Sequence, residues 1–383
     1  MAVNLARYGF LVCSLFVAAQ VSSPQATEKK KAPEDKQLTI LFAGDIMQHG
    51  PQILAALNDS THTYDYTSCF QYVLPIISQS DVAIANLEVT LAGEPYTGYP
   101  QFSAPDQLAV ALKQAGFDIL ATANNHSCDR GDQGILRTIK VLDSLGIKHT
   151  GTFADSVDYH NSNPLLISQN DITVALLNYT YGTNGLTFKY PAMVNIIDEQ
   201  KVIDDLQYSK TLNPDFIIVF FHWGNEYESY PSDQQQKLAQ ISRENGADAV
   251  IGSHPHVIQP TEYYPATDST ERNRLIVYSL GNYVSNQRDR YKDGGCMVSF
   301  KLLKTWNRKT LTQPEYRLTW VYNPIVNNKK QYYILPVNQF TNDTTIDQNS
   351  RLQMNTFMND SRLLLNNHPG AIPEAPVITG GMF

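Results

Sequence analysis

The sequence predicts an α/β fold, and three observations carry that prediction. Apolar runs that read as strands alternate with segments bearing apolar residues at helical spacing, from Leu38 to Tyr278. Three histidine-bearing segments, Ala123-Asn124-Asn125-His126, His222-Trp223-Gly224 and His254-Pro255-His256, each follow such a run directly. The composition, 42% hydrophobic, 17% charged and 10% aromatic over 383 residues, suits a globular chain with a large core.

The elements follow in order. Arg7 precedes the apolar stretch Tyr8 to Ala19, about half of the ~20 residues that a stable membrane span needs. Val17-Ala18-Ala19 offers compact residues for cleavage, so residues 1–19 read as a signal peptide. The chain is therefore expected to be exported to the periplasm or cell envelope; membrane association, with lipid on Cys13, is the alternative, and Val12 is bulky for that signal. Residues 20–37, polar and containing Glu28-Lys29-Lys30-Lys31, read as a linker.

The main domain is expected over residues 38–304. Its first strands are Leu38 to Ala43, Val82 to Ala85 and Ile119 to Ala123. A helix from Asp106 to Gly116 carries Leu108, Ala111, Leu112 and Ala115; a second, from Gln133 to Leu145, carries Ile135, Ile139 and Leu142 and stops at Gly146. Strand Ile172 to Asn178, a helix near Asp198 to Ser209, strand Phe216 to Phe221, a helix from Ser232 to Asn245, and strands Ala249 to Ile251 and Leu275 to Tyr278 continue the alternation. After Gly281, Met297 to Leu303, Tyr316 to Tyr322 and Gln331 to Leu335 have no long helix between them, which predicts antiparallel pairing in a second sheet. Residues 305–383 are expected to form a β extension and an irregular tail rich in Asn, Pro and Gly.

The net charge of -8 gives no basic field for a phosphate backbone, which argues against nucleic acid as a partner. Cleavage of the leader would leave Cys69, Cys128 and Cys296, an odd number without metal-knuckle spacing. Disulfides do not define this fold.

Strand ends gather polar groups on the rim of a sheet. Asp45 follows the first strand, Glu88 the second, Asn125 and His126 the third, His222 the strand ending at Phe221, and His254 with His256 the next. Capping explains Asp45 or Glu88 taken singly. It does not predict that two carboxylates, an amide and four imidazoles fall at corresponding strand ends. Such donors suit divalent metal, and their number favours two ions (Mn, Fe or Zn) about 3.5–4 Å apart sharing a carboxylate and a water. Trp223, Glu226 and Tyr227, with Tyr230, are placed to line a substrate groove, although ordinary loop packing uses the same residue types.

The ordered motifs Gly44-Asp45-Ile46-Met47, Asn86-Leu87-Glu88, Ala123-Asn124-Asn125-His126 with Asp129 and Gly131, His222-Trp223-Gly224, Gly252-Ser253-His254-Pro255-His256-Val257 and Ser279-Leu280-Gly281-Asn282-Tyr283 span about Leu38 to Phe300. Together they resemble the CapA (poly-gamma-glutamate capsule biosynthesis) family, which is similar to the calcineurin-like metallophosphoesterases. The resemblance implies a four-layer αββα sandwich and a two-metal site. By it, Asn125 is an amide ligand and His126 the catalytic histidine beside the phosphoryl group or leaving oxygen. His222 binds one metal, His254 and His256 divide between the two, Asp45 takes the first acidic position and Glu88 the bridging one. Two positions depart from the phosphoesterase pattern: Met47 stands where a histidine is usual, with His49 a substitute at different spacing, and Glu88 replaces an aspartate.

The function expected on this basis is that of an exported CapA-like protein of capsule or poly-gamma-glutamate biosynthesis with a two-metal phosphoesterase-type hydrolytic site. Its partners would be an anionic polymer such as poly-gamma-glutamate, or a phosphoester, and a membrane capsule-synthesis complex. The alternatives are a metal-dependent amide hydrolase or transferase acting on an anionic polymer, and a non-catalytic polymer-binding or export component.

Overall fold

A computed structural model of the chain describes residues 35–268 and 271–377, together with residues 1 and 9. The expected signal peptide and most of the linker lie outside the described residues. Residues from Asp35 onward cluster as one compact unit. No helix among the described residues is long and apolar enough to cross a membrane.

The first part of the chain builds one sheet. Strands β1 (Lys36–Ile46), β2 (Val82–Leu87), β3 (Ile119–Ala121) and β4 (Lys148–Thr150) run parallel and adjacent in that order. The helices between them, α1 (Gln107–Gln114) and α2 (Gly131–Ser144), match the predicted apolar spacing. Leu108, Ala111 and Leu112 of α1 and Leu142 of α2 pack on Leu41, Ala43, Ala83 and Ala85 of the sheet. The third strand is shorter than its apolar run: the backbone N–H of Ala123 donates to Asn178 Oδ1 at 2.8 Å, a side-chain partner in place of a strand.

The middle part builds a second sheet from β5 (Leu165–Gln169), β6 (Ile172–Thr180), β7 (Phe216–His222), β8 (Ala249–Ser253), β9 (Thr261–Tyr264) and β10 (Arg274–Val277), ordered β9-β10-β8-β7-β6-β5. Its outer face is covered by α3 (Glu199–Thr211) and α4 (Asp233–Glu244) through Val202, Leu206, Leu238 and Ala239. Both helices begin at caps legible in sequence. Asp198 accepts the N–H of Lys201, and Ser232 with Gln235 closes a reciprocal capping box.

The chain then returns to the first sheet. On the edge of β1 away from β2, strand β11 (Asn282–Val284) pairs parallel with the end of β1, and β12 (Gly294–Lys304), β13 (Lys309–Tyr322) and β14 (Tyr333–Pro336) extend the sheet. The antiparallel pairing is as predicted. Their placement is not: β12 pairs with β1 from Lys36↔Lys304 to Phe42↔Val298 and so enlarges the first sheet rather than making a second. The tail also differs from expectation, because Gln348–Asn366 forms a 19-residue helix, α5, capped by Asp347, whose side chain accepts the N–H of Ser350.

Between the sheets lies the largest core. Alternate residues of β1 (Leu38, Ile40, Phe42) face Val174 and Leu176 of β6 and Phe216, Ile218 and Phe220 of β7, as the two-residue period of a strand requires. Phe42 and Phe220 meet edge to face at 5.5 Å. Truncating a buried phenylalanine of this kind costs roughly 3–5 kcal/mol. Helices outside two facing sheets make the four-layer αββα sandwich. The three described cysteines, Cys69, Cys128 and Cys296, are free and buried.

Candidate metal centre

The face-to-face stacking brings the carboxyl ends of both sheets to one place. Asp45, Glu88, Asn125 and His126 come from the first sheet, and His222, His254 and His256 from the second. The single rim expected from sequence is thus two rims meeting. All seven side chains are buried.

Their contacts converge. His222 Nε2 lies 2.9 Å from Asn125 Oδ1 and 3.5 Å from Glu88 Oε1; His256 Nε2 lies 3.6 Å from the same Glu88 oxygen. His256 Nδ1 is 3.2 Å from Asp45 Oδ2. Donor atoms of Glu88, His222 and His254, and separately of Asp45, Glu88 and His256, lie within 4.8 Å of one another. Such separations suit donors around an ion with bonds of about 2.0–2.2 Å. Glu88 belongs to both groups, the place a bridging carboxylate requires.

Two observations show that these residues fit a cation. Glu88 Oε1 and His254 Nδ1 are buried without a hydrogen-bond partner, an arrangement that costs free energy unless something satisfies it. Among the described residues, no lysine or arginine makes an ion pair with Asp45 or Glu88. Burial, with the Asp45 charge beside it, pushes the Glu88 carboxyl well above its ordinary range. Burial and the neighbouring imidazoles push His222 far down and His254 down to about 3, which keeps both rings neutral, the form that binds metal. The donor set suits a divalent metal.

A second layer of side chains holds the donors. Asn86 donates from Nδ2 to Asp45 Oδ1 at 2.8 Å and to Glu88 Oε2 at 3.4 Å, and Asn124 donates to Leu87 O at 2.8 Å. His256 Nδ1 lies 3.1 Å from Asn282 Oδ1. His126 Nδ1 is 2.8 Å from Asp129 Oδ2, which also accepts the N–H of Phe102 at 2.6 Å. Asp129 therefore fixes the orientation of the ring.

The substrate-groove residues separate. Trp223 is packed in the core, stacked on Phe221 at 4.6 Å with its indole N–H donating to Tyr278 O, so it lines no groove. Its indole finds more apolar contact behind the sheet than on the loop. Glu226 and Tyr227 are exposed at the mouth, Tyr227 6.2 Å from the His256 ring. Met47 is buried among apolar neighbours. His49 Nδ1 lies 3.2 Å from Gln52 Oε1, and burial pushes this histidine down to about 4. Sequence reasoning missed Tyr181, whose ring lies 4.5 Å from that of His254, and Asn178, which ties the third strand end to the second sheet by accepting the N–H of Ala123 at Oδ1 while its Nδ2 donates to Phe220 O. Neither carries a local signal, since each acts on residues far away in the sequence.

Comparisons with known proteins bear on this site. The profile described as bacterial capsule synthesis protein PGA_cap matches residues 39–287. Capsule biosynthesis protein CapA of Bacillus anthracis is 30% identical over 299 residues, covering 75% of this chain and 69% of that protein. PGA biosynthesis protein CapA of Bacillus subtilis (strain 168) is 30% identical over 311 residues, covering 77% and 75%. A solved structure of a phosphatase from Mycoplasma pneumoniae aligns over 74% of this chain and 94% of its own, at 13% identity and a TM-score of 0.46. The profile covers more than half of the chain and the six motifs that build the centre. This chain belongs to the bacterial capsule synthesis protein PGA_cap family.

Proposed function

We propose that this is an exported CapA-like protein of poly-gamma-glutamate capsule biosynthesis whose strand-end centre holds two divalent ions and hydrolyses a phosphoester. One observation carries the reading: a buried constellation of Asp45, Glu88, His222, His254 and His256 leaves Glu88 Oε1 and His254 Nδ1 unsatisfied. Divalent ions held there would supply Lewis-acid polarisation of a phosphoryl or carbonyl oxygen. The chain's own residues do the rest. Asn86 orients both carboxylates, Asn125 presents its amide oxygen beside His222, and Asp129 holds His126 at Nδ1, leaving Nε2 to pass a proton to the leaving oxygen. Tyr181 packs its ring beside His254.

A second reading, polymer binding without turnover, is favoured by exposed Tyr99, Tyr181 and Tyr227 around the mouth. Elemental analysis of the purified chain, then an assay against phosphoesters and poly-gamma-glutamate, separates them. The hydrolase reading expects bound metal, turnover lost on chelation, and a fall of about 10²–10⁴-fold in His126→Ala with metal retained. Polymer binding with neither metal nor turnover would replace it by the second. Export expects a mature amino terminus near Gln20; recovery of intact Met1 in the cytoplasm would remove that part.

A further inference from the structure

We infer that Glu226 is a metal ligand, supplied from the loop after β7 in place of the histidine that the first motif lacks. The inference rests on the metal centre proposed above and concerns how that centre is completed. A carboxylate oxygen of Glu226 lies within 4.8 Å of ligand atoms of both His254 and His256, a third donor group beside those formed with Glu88. His49 joins no such group among the described residues, and Met47 points into the core.

Three further observations give this position the marks of a built site. His254 Nδ1 is buried and has no hydrogen-bond partner. The backbone is strained on both sides of the contact: Tyr227, His254 and His256 have φ of 69°, 98° and 57°, in the left-handed region that non-glycine residues seldom adopt. Finally, the two strained loops are joined, because the N–H of Tyr227 donates to Pro255 O at 2.8 Å. The bond couples the residue after Glu226 to the residue between the histidines, so the carboxylate and both imidazoles are held as one unit. On its far side the loop is pinned by Lys292, whose Nζ sits 4.3 Å from the centre of the Tyr227 ring.

Among the described residues, no lysine or arginine makes an ion pair with Glu226. A third carboxylate beside Asp45 and Glu88 adds repulsion unless a cation lies between them. Glu226 is also exposed where the other donors are buried, which makes it the ligand on the solvent side of the centre.

The test is equilibrium dialysis of the full chain against Mn²⁺ and, in a parallel series, Zn²⁺, with bound ions counted by elemental analysis and folding followed by circular dichroism. Glu226→Gln keeps size and hydrogen bonding while removing the charge, and Glu226→Ala removes the group. Both are expected to fold as wild type and to bind one ion at least about tenfold more weakly, as loss of a direct ligand should cost no less than loss of a supporting residue. Glu88→Gln is the control and should weaken both ions. If Glu88→Gln loses metal while both Glu226 variants keep wild-type stoichiometry and affinity, Glu226 is not a ligand and the centre stands without it. If wild type binds neither ion, the centre itself and this inference fall together.

Discussion

At the scale of single residues, the centre is a set of groups that the protein alone leaves in electrostatic conflict. Glu88 is driven toward its protonated form by burial beside Asp45, while His222 and His254 are driven toward their neutral forms by burial and by neighbouring imidazoles. A cation relieves the first and uses the second, because it binds carboxylate and neutral imidazole. Replacing both His254 and His256 by alanine should therefore abolish metal binding, while stability changes by no more than about 2 kcal/mol, since the lost groups are polar and their strained backbone stays. Elemental analysis and circular dichroism on the same samples check this. A folded double variant with its full metal content would show that these histidines are not ligands.

At the scale of elements, donors are aimed by close backbone crossings. A Cβ at Gly44 would lie 2.0 Å from Gly281 O, the same carbonyl that accepts the N–H of Asp45 at 3.0 Å. Only glycine lets the chain before β11 come this near β1. Gly44→Ala should lose about 1–3 kcal/mol through overpacking and should weaken metal binding by moving Asp45. Urea denaturation and metal dialysis read the two effects, and a variant with wild-type midpoint and affinity would refute the crossing's role. The helix α5 shows the limit of local patterns. Its buried residues Met354, Phe357, Ser361 and Leu365 do recur at helical spacing, but asparagines and polar neighbours between them mask the period.

At the scale of the whole molecule, the two sheets are also stapled at the end away from the centre. Asp215, just before β7, accepts the N–H of Thr173 at 2.9 Å and pairs with Lys304 of β12 and Lys309 of β13, both at 2.8 Å. Burial alone would raise its carboxyl, but the two lysines and the N–H outweigh it and hold the group below its ordinary value. A carboxyl depressed in the folded state contributes stability that is complete above its unfolded pKa, about 4, and is lost as pH falls through the folded value. Asp215→Asn should thus cost about 1–3 kcal/mol at pH 7, with the gap to wild type closing below about pH 4. Denaturation midpoints from pH 7 to pH 3 measure it; a gap constant over that range would overturn the assignment.

What the sequence by itself determined is local: strands and helices whose periods of two and 3.6 are complete within a few residues, caps such as Asp198 and Ser232, and the placement of Asp45, Glu88, Asn125, His126, His222, His254 and His256 at strand ends. Tertiary structure alone decided that these donors come from two facing sheets, that the late strands enlarge the first sheet, that Trp223 turns into the core, and that Glu226 meets His254 and His256. The reason is range. Periodicity and capping are settled between neighbours in the chain, whereas facing, pairing and convergence depend on contacts between residues from tens to more than a hundred positions apart, such as Glu226 with His254, Phe42 with Phe220 and Glu88 with His222.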